Sequence, residues 1–287
     1  MWVALALTSA IFVSLSTFII KHLLHDVKPI PLLVLVHLFT IPFFVVLLIY
    51  FKIPEFNLSF LKFLIISGSL SALAAYTSYK ALSISDISLL TPLSAFIPLL
   101  ALLWSYLLLG ETPTPIKFVG IITIVIGAYF LDIEDVRFGL LKPFTDLFSD
   151  HGVKLYLIAV LAWSLTPILE KEAIFETNPN TPIFAAFISF MISTAILVPF
   201  AIRDRIHTIS IKKYWKWLTL LGALFALFCL ANFTAYSLTN VAYVLAITKL
   251  AALFVIILGA FILHEKRLKE RLLGGIIMVI GAILVAV

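Results

Sequence analysis

The sequence predicts an all-α membrane protein whose ten transmembrane helices form two inverted five-helix repeats. Three observations carry that expectation. Of the 287 residues, 63% are hydrophobic and 12% charged, with a mean hydropathy of +1.17, whereas a soluble domain carries about 25% charge and 45–50% apolar residues. The apolar residues fall into runs of membrane-spanning length. The second half of the chain repeats the first at a nearly constant offset.

The runs lie near 2–21, 31–51, 61–80, 87–109, 114–131, 153–171, 181–202, 214–237, 240–263 and 269–287. A bilayer core about 30 Å thick needs about 20 residues of helix. The first run opens without a cationic segment before it, so it reads as a span and not as a cleaved leader. The fifth, sixth and tenth runs are the shortest, which suggests little tilt. The eighth and ninth separate only at Ser237-Leu238-Thr239-Asn240. One helix from Trp217 to Leu263 would be roughly 70 Å long, far more than a bilayer accommodates. The connections are short, and the longest polar stretch, 132–152, falls mid-chain. It is the expected linker between a first repeat at 1–131 and a second at 153–287.

Shifting the chain by 154 residues lays 81–130 on 235–284 without a gap. Asp86 then meets Asn240, Glu111 meets Glu265, Gly120 meets Gly274, and Gly127-Ala128 meets Gly281-Ala282. A shift of 150 pairs Lys21 with Lys171. Each half holds five spans, so the second must enter the membrane from the opposite face. Inverted repeats are a transporter signature, with a solute site near the midplane and rocking of one repeat against the other.

Lys249 is the expected centre of that site. It lies roughly 13 Å into the ninth span, where a cation costs at least about 2.5–3.5 kcal/mol. One reading is a cation lining a polar pathway; the other is a snorkelling or structurally bonded lysine. No carboxylate is expected at that depth, because Glu111 and Glu265 fall in turns and Glu170 and Glu172 at the end of span six. A buried cation without a companion acid points to an anionic or zwitterionic solute. His37 is the candidate for proton coupling, against the plainer reading of a satisfied structural donor.

Prolines supply further candidates. Pro92 and Pro98 in span four free the carbonyls of Ser88 and Ser94, and Pro167 in span six frees that of Trp163. Irregular backbone at membrane depth lines a cavity or is buried in protein, so Ser88, Thr91 and Ser94 are candidate solute contacts. Tyr76 and Tyr79, Trp163, Asn232, Tyr236 and Tyr243 complete the set, with helix-to-helix bonding as the alternative for the polar ones. Lys80 reads as snorkelling, and the four paired glycines as close helix contact.

These features resemble the drug/metabolite transporter superfamily. The turns Gly110-Glu111-Thr112-Pro113 and His264-Glu265-Lys266-Arg267 follow spans four and nine, each before a Gly-x6-Gly-Ala span, which resembles the EamA-type ten-helix branch over the full length. The resemblance implies a cavity walled by spans one, three, four, six, eight and nine. Ala246-Ile247-Thr248-Lys249-Leu250 is similar to the lysine motif of nucleotide-sugar and triose-phosphate transporters, where the lysine meets substrate phosphate. The Gly and Asn of the nucleotide-sugar motif, and a second basic residue after the lysine, are missing. Span one also lacks the acid of the small multidrug-resistance relatives.

The composition excludes other classes. The net charge of +5 is spread over loops, unlike the basic face of a nucleic-acid binder. The lone Cys229 supports neither a disulfide framework nor a metal site. No P-loop and no acid–base pair at membrane depth appear, so neither enzyme activity nor a cofactor is expected. The expected partners are a small-molecule substrate and the lipid bilayer, with the chain a monomer or homodimer in the cell (inner) membrane. Cytoplasmic termini would leave the inner loops only Lys52, Lys62, Lys117 and Lys171, so the positive-inside rule favours outer termini; the resemblance implies cytoplasmic ones. The reading is a secondary transporter of a small polar metabolite. The alternatives are translocation of a lipid-linked phosphate headgroup and a non-transporting scaffold.

Overall fold

No water reaches a backbone N–H or C=O inside a bilayer, so an apolar run satisfies its own backbone as a helix. The computed structural model describes residues 1–51, 53–85, 87–132, 150–206, 209–263 and 268–287. The first half contains α1 (Trp2–Leu23), α2 (Pro29–Phe51), α3 (Leu58–Leu82), α4 (Ile87–Ser94), α5 (Ile97–Leu109) and α6 (Pro115–Asp132). The second contains α7 (His151–Phe175), α8 (Pro182–Arg203), α9 (Ile211–Leu238), α10 (Val241–Thr248), α11 (Ala251–Leu263) and α12 (Leu268–Ala286). Among the described residues, eight segments are long and apolar enough to cross a membrane, and Pro115–Leu131 and Leu273–Ala286 are shorter apolar helices. Asp86, linker positions 133–149 and the 264–267 turn lie outside the described residues, as do the side chains of Ser88 and Thr91.

Local chemistry sets the helix ends. Asn57 accepts the Phe60 amide at 3.0 Å, Asp150 that of Val153 at 2.8 Å, and Asn240 that of Ala242 at 2.8 Å, each filling an orphan donor of a first turn. Gly110 ends α5 in the left-handed region at φ 66°, a conformation that a side chain disfavours. Between helices, Glu55–Phe56 pairs antiparallel with Thr177–Asn178.

Two expectations need correction. The sixth span is not short: α7 has 25 residues, because Asp150 caps its start and its polar last turns find partners inside the bundle. The ninth span is not continuous, and the fourth is interrupted as its prolines predict. Each is interrupted by a two-residue turn, at Ala95-Phe96 and at Lys249-Leu250, positions that coincide under the 154-residue shift. Pro98 at the start of α5 accounts for the first. The second has no proline; there the Leu250 amide bonds to the Ile247 carbonyl and the Ala252 amide to the Lys249 carbonyl, each only three residues back.

Helix packing respects exchange of the two halves. Helix α3 packs on α7 as α9 does on α1, and α3 on α8 as α9 does on α2. Helices α4 and α5 pack on α7 as α10 and α11 do on α1, while α2 meets α8 and α6 meets α12. In the last pair a Cβ built on Gly120 would lie 2.9 Å from the Gly281 carbonyl oxygen, and one on Gly127 would lie 2.7 Å from that of Gly274. Ascending numbers on α6 therefore face descending numbers on α12, so the two helices run antiparallel in backbone contact. Gly68 on α3 makes a similar approach to Ser189 and Ile192 of α8.

Candidate functional site

The two interrupted spans meet at their breaks. Ser94, the last residue of α4, accepts a 3.2 Å hydrogen bond from the Lys249 ammonium in the turn between α10 and α11. Lys249 is half-buried. Its neighbour Thr248 donates to the Val244 carbonyl at 2.8 Å and approaches Asn232 Oδ1 on α9 at 3.4 Å. The Asn232 amide donates to the Tyr236 hydroxyl at 2.6 Å, with both residues buried. A polar row thus runs from Ser94 through Lys249 and Thr248 to Asn232 and Tyr236, drawing on α4, α9 and α10. Trp163 on α7 and Leu245 on α10 both pack against a buried cluster that includes Leu93 and Ile97, which flank the first break.

Other predicted residues stand elsewhere. Tyr76 and Tyr79 pack on a cluster of α2, α3 and α8, the Tyr76 ring 4.8 Å from that of Phe200. Tyr243 is 6.3 Å from Trp2, and the Lys117 ammonium sits over both rings at 5.3 and 5.6 Å. His37 is buried; its Nδ1 lies 2.8 Å from Thr194 Oγ1, whose hydroxyl donates to the Phe190 carbonyl. Because that hydroxyl proton is committed, the ring nitrogen is the donor to Thr194. The imidazole packs 4.0 Å from Phe190, the setting of a satisfied structural donor.

One carboxylate expected at a span end stands inside the bundle instead. Glu170 is buried, and its Oε1 accepts hydrogen bonds from Ser67 of α3 at 2.9 Å and Ser189 of α8 at 3.1 Å. Glu170 lies near the end of α7 in sequence. A helical side chain, however, leans towards its own N-terminus, here into the bundle, and α7 continues to Phe175. The sequence signal was present in Ser67-Gly68: a serine beside a glycine mid-span marks where another helix comes close.

The next residue, Lys171, closes one end of the bundle. Its ammonium reaches Glu111 Oε1 at 2.5 Å and the Thr239 carbonyl at 3.0 Å, while Asn240 donates to Glu111 Oε2 at 2.7 Å. This clamp ties the turn after α5 to the end of α7 and the start of α10. In the other half Lys21, its counterpart under the shift of 150, is exposed. Among the described residues, no group of His, Cys, Asp and Glu could hold a metal ion.

Comparison with known proteins bears on this geometry. The sequence profile of the EamA-like transporter family matches residues 1–132 and 151–287. No curated protein matches the chain. A solved structure described only as "Crystal structure of protein" superposes with a TM-score of 0.77 at 13% identity, covering 99% of this chain and 95% of that one. At that identity the likeness extends to the fold.

Proposed function

The chain belongs to the EamA-like transporter family, within the drug/metabolite transporter superfamily, and on that premise we propose that this multi-pass membrane transporter moves a small anionic or zwitterionic metabolite by alternating access. The observation that carries the proposal is the Lys249 ammonium, held 3.2 Å from Ser94 Oγ where two broken helices meet. Broken helices at mid-membrane, paired across two repeats, are the usual construction of a solute site. The antiparallel contact of α6 with α12, whose glycines correspond under the 154-residue shift, supports an inverted relation between the halves.

Charge decides the solute class. A half-buried ammonium attracts an anionic group and repels a cation at a distance where screening is weak. The Glu170 carboxylate bonds to Ser67 and Ser189 and to no member of the Lys249 row, so the charge where the two breaks meet is that of Lys249. Thr248 and Asn232 add a hydroxyl and an amide for the polar remainder of a solute. We place the protein in the cell membrane.

The test is counterflow into proteoliposomes loaded with inorganic phosphate, dicarboxylic acids, amino acids or quaternary ammonium ions. Exchange of an anion or zwitterion that is lost in Lys249→Ala, with the protein still folded, is the expected result. Preferential exchange of quaternary ammonium ions, or unchanged anion exchange in Lys249→Ala, would overturn it.

A further inference from the structure

We propose that Glu170 is a proton-binding site that couples protonation to the seam between the two halves. The proposal rests on the transport reading above, since a seam that opens and closes gives the proton something to control. Its basis is the identity of the partners. A buried carboxylate meant to stay ionised is normally paired with Arg or Lys. Among the described residues no cation lies within ion-pair distance of Glu170. Its partners are two serines, one from each half. A hydroxyl both donates and accepts, so the same two serines serve either state: both donate to the carboxylate, or one accepts the single proton of the carboxylic acid while the other still donates. A lysine would serve only one. Ionisable residues of this kind inside a membrane bundle mark proton relays.

The surroundings leave Glu170 as the group that changes charge there. From α9, Cys229 and Tyr236 lie within its electrostatic range. Lys171 on its own helix is turned to Glu111, with Glu172 beyond. From α10, Tyr243 faces Trp2 and Lys117, and from α5, Trp104 donates to Ser164. His37 of α2, behind α8, is spent on Thr194.

Protonation has a mechanical consequence. The ionised carboxylate draws Ser67 of α3 and Ser189 of α8 together, their hydroxyl oxygens 3.3 Å apart, beside the tight approach of Gly68 to α8. Neutralising it replaces two charge-assisted hydrogen bonds by bonds roughly half as strong. The slackened α7 carries Lys171 one residue on, so the clamp to Glu111 and Asn240 loosens with it.

The experiment uses the full chain in phosphatidylcholine liposomes without solute, so its outcome is separate from the Lys249 counterflow result. Infrared difference spectra between acid and alkaline buffer should contain a carboxylic C=O band that is lost in Glu170→Gln and displaced in Ser67→Ala and Ser189→Ala. Amide hydrogen exchange around 111 and 239–241, corrected for intrinsic rate, should rise about tenfold in acid in the wild type, as expected for the weakening of two charge-assisted bonds. In Glu170→Gln it should be fast at both pH values. A band that survives in Glu170→Gln or ignores both serine variants would overturn the proposal. So would clamp exchange that responds to pH equally in Glu170→Gln.

Discussion

Gly127 and Gly274 lie backbone to backbone, and a Cβ built on either would stand 2.7 Å from the other's carbonyl oxygen. The Met278 side chain at that point can turn away, but the carbonyl oxygens and the Met278 and Leu131 amide nitrogens within 2.9 Å are backbone and cannot, so the contact needs glycine on both helices. Gly127→Ala or Gly274→Ala should force α6 and α12 apart, costing about 1–3 kcal/mol by overpacking. Thermal unfolding in detergent reads the loss. Because the two positions share one gap, the double variant should cost less than the sum of the singles.

Asp150 offers a different lever. Its carboxylate caps α7 through the Val153 amide at 2.8 Å and accepts the Ser85 hydroxyl at 2.6 Å. The Ser85 bond first, and the amide second, hold this carboxyl below the ordinary aspartate range. Asp150→Ala should lose about 1 kcal/mol at neutral pH. A carboxyl whose folded-state pKa is depressed stabilises above its unfolded value, near 3.9, and that contribution disappears as pH falls through the folded value. The gap in melting temperature between wild type and Asp150→Ala should therefore close in acid and hold constant from neutral upward.

The clamp predicts an asymmetry between single and double changes. Lys171 has only 8% of its side chain exposed and Glu111 29%. Lys171→Met leaves Glu111 with Asn240 as its remaining polar partner and should cost about 1–3 kcal/mol, the desolvation penalty of a part-buried charged group. Adding Glu111→Gln removes the stranded charge and should restore much of the loss. A double-mutant cycle on melting in detergent gives the coupling, and simple additivity would show that the pair is not a clamp.

Spans and duplication were legible because both are written in composition and spacing. Of the ten apolar runs, eight are long enough to cross a membrane among the described residues and two are shorter apolar helices, and the family profile matches both halves that the glycine offset relates. The breaks were half legible. Pro98 announces the first, while Lys249-Leu250 bends without proline and becomes visible only as the partner of Ala95-Phe96. Glu170 was misread because linear distance from a helix end says nothing about side-chain direction, and because its partners, Ser67 and Ser189, lie in two other helices whose facing sides the apolar pattern does not mark. Tyr76 and Tyr243 were grouped with Lys249 by span number. The rotation of each helix, which a flat apolar pattern does not encode, directs them to Phe200 and to Trp2 instead.

That same rotation makes the Lys249 row separable by mutation. If Lys249 is the solute's electrostatic anchor and Ser94 its positioning partner, Lys249→Gln removes the charge but leaves a donor of similar reach. Loss of one charge-assisted bond, about 1.5–3 kcal/mol, should weaken half-saturation for an anionic solute about 10- to 150-fold in counterflow. Ser94→Ala removes one hydrogen-bond partner and keeps the ammonium, and should cost less than tenfold. Asn232→Leu removes the amide that Thr248 of α10 approaches and that donates to Tyr236 of its own helix; it should lower the melting temperature more than it weakens half-saturation, since both bonds join protein groups. A Ser94→Ala effect as large as that of Lys249→Gln would make the serine a direct solute contact. An Asn232→Leu variant that melts normally but fails in exchange would make the α9 end of the row a direct solute contact.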